Sequence, residues 1–283
     1  MQIIESVSEM LAFVEKCRLR GAKTGLVPTM GALHAGHLSL VKKSRDENDV
    51  TIVSIFVNPV QFNNPVDLAT YPRQPEQDFK ILAEAGADVV FAPTVEEIYP
   101  ADFDKDRIFD LGKVAEVMEG KYRPGHFQGV ALVVNRLFQL CTPTRAYFGM
   151  KDFQQIAVIK AMLKSEGLDV EIVPCPIVRE DSGLALSSRN QLLSPEERRK
   201  AASIHHILQE SLVYASSHTV QQTRDRVKEE IDKIPGFRSE YYEIVDGETL
   251  IPVETWTEAK YIVGCITVYV GKVRLIDNIE YRS

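Results

Sequence analysis

Val50-Thr51-Ile52-Val53-Ser54-Ile55-Phe56-Val57 is a near-continuous run of β-branched and apolar residues. A strand with one face in water alternates apolar and polar residues. This one does not, so it reads as a parallel strand covered on both faces. Parallel neighbours need crossover connections, usually helices, and the surrounding chain has them. Ser6-Val7-Ser8-Glu9 reads as a capping box, followed by Met10, Leu11 and Val14 at helical spacing. Gly25-Leu26-Val27 reads as a short buried strand, residues 76–85 as a helix that Gly86 ends, and 87–91 as a further strand. The alternation continues with a helix at 129–140, a strand at 145–148, a helix at 153–166 and a strand at 170–173. The Pro- and Asn-rich stretch 58–75 reads as loop.

This order predicts an α/β fold, a doubly wound parallel-sheet, Rossmann-like N-terminal domain. The character changes after Pro174-Cys175-Pro176. Ser194-Pro195-Glu196-Glu197 is a well-formed helix start opening a charged helical region to about Ile231, where Pro235-Gly236 breaks the pattern. Strands at 241–245, 260–269 and 273–279 follow, with Gly271-Lys272 suited to a hairpin. The expected division is 1–176 for the Rossmann-like domain and 177–283 for a smaller α+β domain. Cys17, Cys141, Cys175 and Cys265 are scattered, without metal-ligand spacing, and read as reduced thiols.

Open parallel sheets bind ligands beyond the carboxyl ends of their strands, and four segments at such points carry polar groups. In Pro28-Thr29-Met30-Gly31-Ala32-Leu33-His34-Ala35-Gly36-His37, Pro28 and Gly31 break the first strand, and Leu38, Leu40 and Val41 belong to an amphipathic helix. His34 then falls just before the helix and His37 in its first turn, a spacing that shares one helix face. First-turn amides and the helix dipole make that end a site for anions, and Gly31 and Gly36 let backbone approach a ligand. A polyphosphate is the natural occupant, with imidazole N–H groups donating to its oxygens; the alternative is a pair of surface or capping histidines. Asn58 and Gln61, in Asn58-Pro59-Val60-Gln61, leave a buried strand with amides suited to a small ligand bearing hydroxyls and a carboxylate. Gly149-Met150-Lys151-Asp152 places a cation at a helix start, where an anion would offset its conflict with the dipole. Leu186-Ser187-Ser188-Arg189 offers two hydroxyls and a guanidinium as a clamp for phosphate oxygens.

These segments, with Tyr71-Pro72-Arg73 and Arg123-Pro124-Gly125-His126-Phe127, resemble the pantothenate synthetase (pantoate–β-alanine ligase) family over essentially the whole chain. The His loop alone marks the wider superfamily of nucleotidyl transferases and class I aminoacyl-tRNA synthetases. The combination is more specific. The resemblance implies a homodimer that condenses pantoate with β-alanine through a pantoyl adenylate, releasing AMP and pyrophosphate; the scattered reduced thiols and the start of the chain make the cytoplasm the expected location. It implies ATP on Met30 to His37, on Gly149 to Asp152, on Val178 and on Leu186 to Arg189, with the second domain closing over the nucleotide. Asn58, Gln61 and Gln155 would bind substrate, and His34, His37, Lys151 and Arg189 would carry catalysis. Mg2+ on the phosphates is expected, with Asp78 a contributor to its site. Departures from the family pattern are Gln128 where a basic residue is usual, Leu186 in place of Met, and Gln77 beside Asp78 where an acid is frequent.

A formal net charge of -7 argues against a nucleic-acid surface, and no apolar run is long enough to cross a bilayer. The start of the chain does not read as a secretory signal. An adenylyltransferase that stops after nucleotide transfer, and a non-catalytic nucleotide-binding module, are the competing readings.

Overall fold

The computed structural model describes residues 1–282. Its strands are β1 (Gln2–Ile4), β2 (Thr24–Thr29), β3 (Val50–Ile55), β4 (Val89–Phe91), β5 (Arg145–Gly149), β6 (Glu171–Cys175), β7 (Phe237–Asp246), β8 (Ile262–Val270) and β9 (Val273–Arg282). Its α-helices are α1 (Val7–Leu19), α2 (Ala35–Glu47), α3 (Pro65–Thr70), α4 (Pro75–Ala85), α5 (Val95–Ile98), α6 (Glu119–Tyr122), α7 (His126–Cys141), α8 (Phe153–Glu166), α9 (Pro195–Ala215) and α10 (Val220–Asp232). The chain divides into two compact units.

The first unit holds a six-stranded sheet in the order β1-β4-β3-β2-β5-β6, parallel throughout. This is the doubly wound sheet expected from the β-branched runs. Strand order reverses between β2 and β5, and the carboxyl ends at such a switch point flank the ligand crevice of folds of this kind. One face is covered by α2 and α4, where Val27, Leu40, Val41, Val53, Leu82 and Val90 form a continuous apolar cluster. On the other face, α7 has 13 of its 16 residues buried, most of them apolar, as a largely enclosed helix requires. The phenol of the fully buried Tyr147 ties α2 to β5: its oxygen accepts from Asn48 Nδ2 at 2.7 Å and donates to Glu47 Oε2 at 2.9 Å. All four cysteines are free and buried.

Two local expectations are corrected and one strand is added. Stretch 58–75 is not all loop: Pro59–Gln61 forms a 3-10 turn and α3 a short helix, started by Asn58 and Asn64 side chains that cap Val60 and Val66 amides. Strand β1 was not read from the sequence; at three residues it is too short to show a period, and its pairing with β4 supplies the order. At α1, Ser6 caps the Glu9 amide at 3.3 Å, but the Glu9 carboxylate accepts from the Ser6 hydroxyl at 2.9 Å, not from the Ser6 amide as a full capping box requires.

The second unit is built on the antiparallel sheet β7-β8-β9. Helices α9 and α10 pack on it through Ile204, Leu208, Val227 and Ile231. This unit is not a single run from residue 177: Lys113–Tyr122 and Lys151–Ala157 belong to it as well. Val114, Val117, Met118, Phe153 and Ala157 cluster with Tyr241, Val263 and Cys265, which explains the assignment. A buried ion pair fixes α6 there, with Arg274 donating to both Glu119 oxygens at 2.7 Å while the Tyr241 and Thr267 hydroxyls donate to Oε1. Lys151, Asp152 and Gln155, placed in the first domain by the sequence reading, are therefore in the second unit. Among the described residues no helix is long and apolar enough to cross a membrane.

Candidate active site

Beyond β2 the chain turns through two left-handed residues, Gly31 at φ 79° and Ala32 at φ 51°. The second is costly for a residue with a Cβ. Thr29 Oγ1 donates to Ser54 O at 2.7 Å and accepts from the Gly31 amide at 3.2 Å. The Asp78 carboxylate, 1% exposed on α4, accepts from the Ala32 amide at 2.9 Å and the Leu33 amide at 2.8 Å. A Cβ on Gly31 would sit 2.9 Å from Asp78 Oδ2, so glycine is required there by packing as well as by φ. Packing against Asp78 thus adds to the ligand approach expected of this glycine.

This turn delivers His34 to the N-cap of α2 and His37 to its first turn, the junction expected. The two imidazoles cap the helix reciprocally: His34 Nδ1 accepts from the Gly36 amide at 3.1 Å, and His37 Nδ1 accepts from the His34 amide at 3.3 Å. Their rings lie 4.1 Å apart. Since each Nδ1 accepts, the hydrogen bonds assign the ring proton to Nε2 in both. Capping and N–H donation, alternatives on the sequence, are compatible: the cap uses one nitrogen and fixes the tautomer of the other.

Asn58 is 1% exposed and engaged throughout. Its Nδ2 donates to Gln61 Oε1 at 3.1 Å and Gly129 O at 3.0 Å; its Oδ1 accepts from the Tyr99 hydroxyl at 2.9 Å and the Val60 amide at 3.3 Å. Burial pushes the Tyr99 phenol up, so it stays protonated and donates. With two donors and two acceptor positions occupied, Asn58 does not fit the direct substrate contact expected of it. It shapes the turn that presents Gln61. Gln61 Nε2 points at Met30 Sδ, 3.2 Å away. Groups not expected from the sequence lie behind this turn. His126 Nδ1 donates to Gln61 O at 2.8 Å while Arg123 donates to its Nε2 at 3.0 Å. Gly129 sits so close that a Cβ would meet Gln61 Cα at 2.7 Å. The Arg123-to-Phe127 motif was the available signal, but it named no partner. Gln128, the departure from the family pattern, makes a two-point pair with Phe109, accepting from its amide at 2.9 Å and donating to its carbonyl at 3.1 Å.

Gly129→Ala should therefore displace the Gln61 turn. The overpacking should cost about 1–3 kcal/mol of stability, which thermal unfolding checks.

In the second unit, Lys151 lies in the 3-10 turn Met150–Asp152, ahead of α8. Its ammonium is 3.2 Å from the Asp152 carboxylate, with the Lys side chain 19% exposed. Asn278 Nδ2 donates to Lys151 O at 3.2 Å, holding the turn. Leu186 is paired to Val178 through a backbone bond of 3.0 Å. Arg189 follows in the turn Ser188–Leu192, whose start is capped by Ser187 Oγ accepting from the Arg189 amide at 3.2 Å. Gly149, by contrast, ends β5 and Met150 opens the 3-10 turn, both in the first unit, and Gln155 lies in the first turn of α8.

Asp78 does not fit a magnesium site. Both its oxygens serve loop amides, and it is shut from solvent. Among the described residues no group of three or more His, Cys, Asp or Glu is gathered for a metal.

A family model described as pantoate-beta-alanine ligase matches residues 2–280. The pantothenate synthetase of Bacteroides thetaiotaomicron is 52% identical over 283 residues, covering all of both chains. That of Porphyromonas gingivalis is 53% identical at the same coverage. Among solved structures, pantothenate synthetase from Thermus thermophilus is similar with a TM-score of 0.93 and 44% identity over all of both chains. A pantoate-beta-alanine ligase from Francisella tularensis, solved with beta-gamma ATP and beta-alanine, has a TM-score of 0.82 and 39% identity over 99% of this chain and 98% of its own. Full-length matches in sequence and fold converge with the His-bearing junction: the chain belongs to the pantoate–beta-alanine ligase family.

Proposed function

We propose that this chain joins pantoate to β-alanine with ATP as co-substrate, through a pantoyl adenylate. The observation that carries this is family membership along the whole chain. The pantoate carboxylate attacks the α-phosphorus of ATP, the bond to the β-phosphate oxygen breaks, and pyrophosphate leaves. The neutral amine of β-alanine then attacks the acyl carbon, AMP departs with the electron pair of the acyl–oxygen bond, and the amine loses a proton. No enzyme nucleophile is needed. The protein's part is to position the reactants and to stabilise the charge that spreads over the phosphate oxygens.

His34 and His37 suit this role as neutral Nε2–H donors beside the α2 N-terminus, where the dipole also favours anions. Met30 to His37, Gly149 to Asp152, Val178 and Leu186 to Arg189 are assigned to ATP, with Lys151 and Arg189 the cationic donors. Gln61 is assigned to pantoate and β-alanine and Gln155 to pantoate, with Asn58 holding Gln61 in place. Mg2+ enters with ATP as part of the substrate, neutralising its phosphates. The proposed setting is a cytoplasmic homodimer.

Incubation with all three substrates should yield pantothenate, AMP and pyrophosphate in equal amounts, followed by mass spectrometry and a pyrophosphate assay. Nucleotide transfer without amide formation would instead mark an adenylyltransferase. Gln61→Ala should raise the KM for pantoate by about tenfold or more while the Kd for ATP changes by less than about twofold. Equal loss of both would contradict the pocket assignment.

A further inference from the structure

We propose that Asp78 is a positioning residue for the turn that carries the two histidines, and that it takes no part in binding metal; this rests on the proposed function of that turn. Its two oxygens are divided between consecutive backbone amides, Oδ2 accepting from Ala32 and Oδ1 from Leu33, at 2.9 and 2.8 Å. Both amides belong to a strained segment, since Ala32 holds a left-handed φ of 51° immediately after Gly31 at 79°. A buried carboxylate is costly unless hydrogen-bonded, and a charged acceptor makes the stronger kind of bond. The cost of burying the one group is thus set against the strain of the other. The bonds fix two adjacent peptide planes, and the chain leaves them directly into His34, whose amide and ring make the α2 cap with His37. Gly31 completes the fit, because a Cβ there would lie 2.9 Å from Asp78 Oδ2. Asp78 therefore acts on the imidazoles through the backbone.

Asp78→Asn keeps the size of the side chain but turns one acceptor into a donor facing an amide, so one bond is lost and a repulsion added. The test compares this variant with the unmutated protein, first shown to form pantothenate, so that failure of the functional reading is seen separately. A fall in kcat of about tenfold or more is expected at saturating substrates, with the half-saturating Mg2+ concentration unchanged within about twofold. Amide hydrogen exchange at Ala32 and Leu33 should accelerate while that of β2 and β3 stays as it was, a readout independent of turnover. Adding Ala32→Gly, which relieves the left-handed strain, should recover about threefold or more of the lost kcat. It also provides a folded background should Asp78→Asn alone not fold. Unchanged kcat and unchanged exchange would overturn the proposal. So would a kcat loss reversed by excess Mg2+, the behaviour of a metal ligand.

Discussion

Lys151→Ala should lower kcat by more than about tenfold, a loss of roughly 2–4 kcal/mol where a charged donor to developing negative charge is removed. A cation at the start of a helix opposes the dipole, and the 14-residue α8 follows directly on the Lys151 turn. The Asp152 carboxylate at 3.2 Å offsets part of that conflict but is itself 45% exposed, so little of the pair's energy survives solvent screening. The turn is held from behind by Asn278 on the Lys151 carbonyl, which leaves the side chain free of any structural duty in the backbone. Truncation should therefore spare the fold, with Tm shifting by only a few degrees, on the order of 1 kcal/mol or less. Steady-state pantothenate formation and thermal melting check the two halves of the expectation. A variant with near-normal turnover would remove Lys151 from the phosphate-binding set.

His37→Ala should cost more than about tenfold in kcat for the same reason. It should also cost about 1 kcal/mol of stability, because His37 Nδ1 accepts the His34 amide in the α2 cap. The two effects are separable. Glutamine is the natural acceptor at this position of a capping box, so His37→Gln should recover stability without recovering turnover. Recovery of both by glutamine would mean that the histidine is needed only as a cap, and that its Nε2–H does not reach the substrate.

The parallel sheet was legible because Val50 to Val57 has no polar phase, and helices such as 153–166 announce themselves by period and by the breaks around them. The helix at Ser194-Pro195-Glu196-Glu197 was legible from its cap, which the structure forms reciprocally. What escaped was decided by contacts distant in sequence. Met118 and Phe153 join the sheet of the second unit because of apolar partners such as Tyr241 and Val263, more than 80 residues further along. No local pattern in a segment as short as 151–157 reports that. The histidine junction could be placed to the residue, since strand, glycine and helix all signal locally. Asp78 could not, as a carboxylate on an amphipathic helix looks the same whether it meets a metal, water or two amides 45 and 46 residues away. The partners of Asn58 are hidden for a related reason. An amide leaving a buried strand resembles a substrate contact until Tyr99 and Gly129 are seen to fill its valences.

Acyl-adenylate formation can be observed apart from amide formation by following labelled pyrophosphate into ATP. Exchange should need pantoate and Mg2+, should proceed without β-alanine, and should fall together with kcat in Lys151→Ala and His37→Ala. Exchange that runs without pantoate, or that waits for β-alanine, would contradict the adenylate route.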